Sequence, residues 1–548
     1  MNNKITVTFD DTRSLEVFYK TKVIDVVNMV ESDTSDILAL NINNELRDFN
    51  YELVKDSCIK FVKYNSPDGY RVYSGTLKMV LYMALTSLFS DADVEFIATI
   101  KKDQYFMLNN IHITDEKIKK VKEKMQEIID KDFPITKKVV PIEEATVLYT
   151  AANNLDILKN IDNKLKSYVT MYFCDGMYNN FSTILAPSTG YIKKFDLRRY
   201  KDGLVLMFPD DKGNIKDEIK SISLYDAYTE FNKLNETFGI STIGDLNRNI
   251  LQGKTNDIIQ VAEAIHDRKL VELVQDIENR KNIKMILIAG PSSSGKTTFA
   301  QKLGVQLKLT GYNPITISMD NYFKERKDTP LGEDGKYNFE TVDALDIELF
   351  NSQMKDLIDG KTVELPEFDF VVGTKRYNGK FLKLQKNDIM IIEGIHALNP
   401  ILTKFTPDES KYKIYIAPIT TLNIDGYTKI SSSDSRFLRR MVRDYTTRGH
   451  SVDKTFELWG NVKKGEEEYI FPFVDDADFI YNSSLNYEPS VMKTFAQPLL
   501  LQVENSSKYY SEARRLYAYL NNFTPLETGN IPINSIIREF IGNGCFNR

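Results

Sequence analysis

At 548 residues the chain is too long for one hydrophobic core and should divide into about three or four domains. With 42% hydrophobic and 27% charged residues it reads as a soluble globular protein, and its net charge of −6 argues against sequence-independent nucleic-acid binding as the main activity. Three scattered cysteines, Cys58, Cys174 and Cys545, support neither a disulfide framework nor a cysteine zinc cluster and fit a reducing cytoplasm, the expected location.

Residues 1–64 read as a small β-rich module. Ile5, Val7 and Phe9 alternate with Thr6 and Thr8, Leu15 to Tyr19 repeats the pattern, Val23 to Val30 is a short helix, and Ile37 to Ile42 and Cys58 to Val62 supply further strands. Strand, strand, helix, strand at this length suggests a β-grasp scaffold. Residues 65–222 are mixed α+β, with a helix at Leu77 to Phe89, a strand at Val94 to Ile100 and a helix at Asp115 to Asp130 behind Thr114 as N-cap. The apolar run Met79 to Phe89 is about half a membrane span, so it predicts a core helix and no membrane association. Helical patterns at Leu224 to Phe238 and Ile258 to Ile277 make residues 223–280 a connector; residues 281–490 form an α/β unit and 491–548 a C-terminal helical extension.

The α/β unit carries the chemistry. Gly290-Pro291-Ser292-Ser293-Ser294-Gly295-Lys296-Thr297 spells GxxxxGK[ST] between the apolar strand Ile283 to Ala289 and a helical pattern. Backbone N–H groups and a helix N-terminus then converge on phosphate oxygens, with Lys296 at the β/γ-phosphates and Thr297 on Mg²⁺. The strand ending in Ser318-Met319-Asp320 offers Asp320 as general base, since a carboxylate at the carboxyl end of a strand adjacent to the loop strand faces the crevice. Asp343 can accept two hydrogen bonds from the paired hydroxyls of a sugar. Glu393 ends the strand Ile389 to Ile392, where a second Mg²⁺ contact is expected. Arg436, Arg440 and Arg443, spaced by four and three, share a helix face and suit a lid over a triphosphate, with Arg448 and Gly449 in its mobile part.

The blocks GPSSSGKTT (Gly290 to Thr298), SMDNYF (Ser318 to Phe323), YNFETVDALD (Tyr337 to Asp346), IIEGIHAL (Ile391 to Leu398) and RRMVRDYTTRG (Arg439 to Gly449) together resemble the uridine kinase and phosphoribulokinase family. The resemblance implies an α/β P-loop kinase domain, a parallel sheet flanked by helices, that uses ATP and Mg²⁺ to phosphorylate a nucleoside 5′-hydroxyl. It implies catalytic roles for Asp320, Lys296 and Arg443. It implies ATP binding by Gly290, Ser292, Ser293, Ser294, Gly295, Lys296, Thr297, Thr298 and Arg448, and metal binding by Thr297 and Glu393. Substrate contacts fall to Asp343, Tyr322, Phe368 and Arg440. The family's pyrimidine-reading tyrosine and histidine are replaced here by Phe368 and Gly373, so another small alcohol or a sugar phosphate stays open as acceptor.

The N-terminal half resembles the accessory regions of threonyl-tRNA synthetase, a TGS-type β-grasp module followed by an editing-like α+β domain, the latter on Leu185-Ala186-Pro187-Ser188-Thr189-Gly190-Tyr191-Ile192-Lys193. Ser74 and Lys78 stand near the place of the first pair of the editing HxxxH motif, and Cys174 has no histidine close behind it, so editing chemistry and metal binding there are expected to be lost. A nucleotide-dependent RNA-binding protein, with this half contacting tRNA, is the reading from another class; a homo-oligomer also stays open.

Overall fold

The computed structural model describes residues 4–10, 12–152, 154–161, 167–217, 222–280, 282–332, 335–369 and 372–546. In the C-terminal half the central strand is Met285–Ala289, every residue of which is buried. Asp388–Glu393 lies beside it on one side and Lys411–Ala417 on the other, with Asn313–Ser318 and Phe479–Asn482 outermost, and all five run parallel. Continuous apolar runs such as MILIA follow from that position, because a parallel sheet is covered on both faces. The helices Thr255–Asn279 and Lys296–Leu309 contribute Leu270, Leu273, Phe299 and Leu303 to a core shared with Ile286, Ile391 and Ile414. A second apolar layer, including Leu287, Ile392, Tyr322 and Phe350, belongs to another core cluster.

At the N-terminus, Lys4–Phe9 pairs antiparallel with Ser14–Phe18 and parallel with Ser57–Lys63, and Ile37–Ile42 and Glu45–Arg47 complete a five-stranded sheet. The helix Val23–Val30 buries Val23, Val26 and Val27 against it. The next helix differs from the sequence expectation: it begins at Pro67, not Leu77, and runs to Leu88. Ser66 accepts the Gly69 N–H and Pro67 occupies the first turn, a start signal that apolar periodicity does not report, since the polar Arg71, Ser74 and Thr76 interrupt the pattern. The helix Asp115–Asp130 has the predicted bounds, with Thr114 accepting from the Lys117 N–H. A four-stranded sheet, ordered Asp196–Tyr200, Gly203–Met207, Asp103–Leu108 and Val94–Ile100, contains the predicted strand Val94–Ile100 together with three strands the periodicity did not single out. The helix Ile243–Leu251, opened by a Thr242/Asp245 capping box, was likewise not anticipated. No described helix is long and apolar enough to cross a membrane.

A hairpin of the C-terminal half, Asn423–Asp425 with Thr428–Lys429, docks the two halves together. The Phe96 N–H donates to Gly426 O at 3.0 Å, Asn423 Nδ2 donates to Phe96 O at 3.0 Å, and Lys78 Nζ donates to Tyr427 O at 2.9 Å. Lys78, expected near an editing motif, therefore serves the junction. Burial pushes Lys78 down to about 8 and Lys429 to about 7. A Cβ on Gly426 would lie 2.4 Å from Val94 O, backbone that cannot yield locally. Gly426→Ala is therefore expected to loosen the junction, at a cost of about 1–3 kcal/mol as for overpacking. Calorimetry should then resolve an early transition from the N-terminal half; a single unshifted transition would contradict the docking role.

Candidate active site

The chain leaves the central strand at Ala289 and turns tightly through Gly290 to Gly295 into the helix Lys296–Leu309. The turn has no room for side chains at its ends: a Cβ on Gly290 would sit 2.1 Å from Ile416 O, and one on Gly295, at φ +90°, would sit 2.6 Å from Ile536 Cγ2. Ser293 adopts φ +61°, a conformation that costs energy and persists because its surroundings hold it. Ser293 Oγ and Ser294 Oγ are buried with no hydrogen-bond partner among the described residues, in a structure class where buried hydroxyls are nearly always paired. Orphan hydroxyls beside a helix N-terminus, whose first N–H groups have no intrahelical acceptor, fit phosphate oxygens.

Carboxylates and cations meet at this mouth. Lys296 Nζ donates to Gly290 O at 2.9 Å and Pro291 O at 3.3 Å. Burial lowers its pKa, opposed by the charges of Glu393, Asp320 and Glu539. Burial drives Glu393 up to about 7, with the Asp320 charge acting in the same direction and Lys296 against it. Asp320 follows the 3-10 turn start at Ser318, and its pKa is raised by loss of hydration, opposed by the charges of Lys296, Arg448 and Arg443. Its side chain is exposed in the cleft. Asp320 does not stand on the neighbouring strand as expected: Asp388–Glu393 lies between its strand and the loop strand, and Glu393 holds the adjacent position. Thr297 is exposed at the helix start and Thr298 is buried beside it.

The helix Ser432–Arg448 grips the loop. Arg439, fully buried, donates to both Glu488 oxygens at 2.6 Å, to Ser483 O at 2.8 Å, and at 3.4 Å to Ser293 O and Ser294 O. Arg440 Nη1 donates to Ser292 Oγ at 2.9 Å. Arg436 is paired with Glu466 and donates to Ser292 O at 3.4 Å. The expected row Arg436, Arg440, Arg443 is thus divided: the first is a buried brace, and Arg440 contacts the loop. Asp444, wholly buried, receives Arg440 at 3.2 Å, Arg443 at 3.1 Å and Arg448 at 3.3 Å.

Of the expected substrate residues, Asp343 is exposed on the 3-10 turn Val342–Ala344. Tyr322 is instead a core residue at 1% exposure, its hydroxyl donating to Gln353 Oε1 at 2.8 Å and its ring against Phe350. Phe368 is also buried, against Phe323, and packs behind the cleft. Both rings, expected in direct substrate contact, thus belong to the apolar layer behind the cleft, the Tyr322 hydroxyl finding its partner in Gln353. Gly373 has φ +82°, and a Cβ there would lie 2.8 Å from Arg326 Nε. Sequence reasoning missed Asp444, Arg439, Glu466, Glu488 and Glu539. Only the Arg440/Asp444/Arg448 spacing of four carried a readable signal. Residues 65–222 hold no metal cluster among the described residues, and Cys174 is buried with its thiol pushed up to about 12 by burial.

A glycine-rich loop at the carboxyl end of a central parallel strand, opening a helix and faced by strand-end carboxylates and a basic helix, defines a phosphate-loop kinase fold. The family described as Phosphoribulokinase / Uridine kinase matches residues 285–486. The uridine kinase of Ligilactobacillus salivarius is 30% identical over 204 residues, 37% of this chain and 86% of that protein. The uridine kinase of Macrococcus caseolyticus is 31% identical over 219 residues, 39% of this chain and 97% of that protein. The chain belongs to the phosphoribulokinase/uridine kinase family, with a long additional N-terminal half outside the match.

Because Glu393 binds its proton more tightly folded than unfolded, its stabilising contribution is full below the ordinary carboxylate pKa and is lost as pH rises through about 7. Between roughly pH 5 and pH 8 that loss is on the order of 3 kcal/mol. Urea unfolding without divalent cations should record it, and Glu393→Gln should flatten the profile. Identical slopes in both proteins would contradict the buried placement.

Proposed function

We propose that this protein is an ATP-dependent kinase that transfers the γ-phosphoryl group to the 5′-hydroxyl of a nucleoside. The observation that carries the reading is the meeting of Asp320 with the charges of Lys296, Arg443 and Arg448 beside a loop with orphan hydroxyls. The names of the relatives point the same way.

The amides of Ser292 to Thr298 and the hydroxyls of Ser293 and Ser294 would bind the phosphate chain of ATP, with Lys296 turning from Gly290 O toward it. Magnesium, when bound by Thr297 and Glu393, would neutralise β- and γ-phosphate charge. Asp320 accepts the proton of the attacking hydroxyl, and its raised pKa strengthens it as a base. Arg443 and Arg448, held by Asp444 yet less buried than Arg439, supply positive charge where the transferring group becomes most anionic. Asp343, exposed near the cleft, would take paired ribose hydroxyls. The N-terminal sheet is read as a TGS-like β-grasp unit and residues 65–222 as an editing-like unit without its chemistry; the mixed sheet of the first and the use of Lys78 at the junction support this.

A second acceptor class is favoured by one feature. The space beside Gly373 is taken by Arg326, so no side chain at 373 reads a pyrimidine edge, which suits another small alcohol or a sugar phosphate. An ADP-release assay over nucleosides and sugar phosphates, with products identified by mass, separates the two. Nucleoside monophosphate is expected, with Asp320→Asn lowering kcat by roughly a hundredfold to ten-thousandfold. No turnover above a Lys296→Ala control with any acceptor would contradict the kinase reading.

A further inference from the structure

The C-terminal segment reaches the phosphate loop. Ile536 and Phe540 are fully buried in the core that holds Phe299 and Tyr481, and the Arg439 guanidinium lies 4.9 Å from the Phe540 ring centroid. Ile536 also fills the space above Gly295. Between these anchors stands Glu539, whose Oε2 accepts the backbone N–H of Thr298 at 3.1 Å. Thr298 is the third residue of the helix Lys296–Leu309, so its amide is one of the donors without an intrahelical acceptor. The Glu539 charge also reaches Lys296 and Glu393. A carboxylate therefore holds a donor that a phosphate oxygen would use, and sets a negative charge where a polyanion must sit.

We infer that Glu539 is a built-in competitor for the nucleotide's phosphate chain, an inference that rests on reading this loop as the nucleotide site. Nucleotide binds when the Glu539 carboxylate has swung off the Thr298 amide. Its backbone stays in place, because Ile536 and Phe540 pin the segment on either side. The apparent affinity is then lowered by the fraction of molecules in which the carboxylate occupies the amide. Any partner or ligand that shifts the helix Arg538–Ile541 changes nucleotide affinity without touching the acceptor cleft.

Calorimetric titration of the full chain with ADP and Mg²⁺ tests this, comparing the unaltered protein with Glu539→Gln, Glu539→Ala and Lys296→Ala. Removing the charge should tighten ADP binding roughly tenfold, the size expected when one charge-assisted hydrogen bond no longer competes. The same variants should lower the melting temperature of the nucleotide-free protein, since a helix cap is weakened. Opposite signs in affinity and stability distinguish a competitor from a cap that merely supports the loop. ADP binding unchanged or weaker in both Glu539 variants, with binding lost in Lys296→Ala, overturns the competitor and leaves the nucleotide site intact. Binding that is insensitive to Lys296→Ala, or absent throughout, overturns both.

Discussion

The site depends on a buried ion pair, Arg439 with Glu488, that holds a loop with little structure of its own. A run of glycine and serine loses much conformational entropy when ordered, and here it is ordered with Ser293 and Gly295 at positive φ. Burying a guanidinium and a carboxylate is costly unless the remaining donors are satisfied. Arg439 meets that condition: Glu488 takes two bonds, Ser483 and the Ser293 and Ser294 carbonyls take others. The pair therefore fixes loop shape more than it adds stability. Losing one partner would leave an uncompensated charge against the phosphate cradle.

The same helix is tied to the rest of the chain. Its first turn carries Asp434, paired with Arg515 at 2.8 Å; Arg515 binds Glu512, and Glu512 receives Arg71 at 2.6 Å from the helix Pro67–Leu88. The hairpin that docks on Phe96 ends three residues before the helix begins, at Lys429 and Ser432. The N-terminal half thus touches the arginine helix by an ionic chain and by a covalent lead-in. The phosphate loop is enclosed between that helix and the C-terminal segment.

The phosphate loop, Asp320 and Glu393 were legible because glycine spacing and strand-end acids are local patterns. The parallel strands were legible as apolar runs. Sheet order was not: that Asp388–Glu393 intervenes between Asp320 and the loop is decided by crossover connections, which no local pattern reports. Roles within the arginine row were also hidden, since spacing places residues on a face but their partners, Glu466 and Glu488, come from distant helices. The burial of Tyr322 and Phe368 was hidden for a different reason. They sit inside site motifs, yet their rings are needed by the apolar layer behind the cleft. The start of the helix Pro67–Leu88 was masked by buried polar residues, Ser74 and Thr76, which are satisfied by Gln104 and by Val72 O.

The central claim is that one cleft brings a triphosphate over Lys296 and an acceptor hydroxyl to Asp320. A crystal structure of the full chain with a bisubstrate analogue, a nucleoside joined through its 5′-oxygen to adenosine by a polyphosphate, examines it most directly. The account predicts the polyphosphate on the amides of Ser292 to Thr298 and the nucleoside 5′-oxygen within roughly 3 Å of an Asp320 oxygen, the reach of a general base. A nucleoside bound away from Asp320, or a polyphosphate that bypasses the loop, would contradict it.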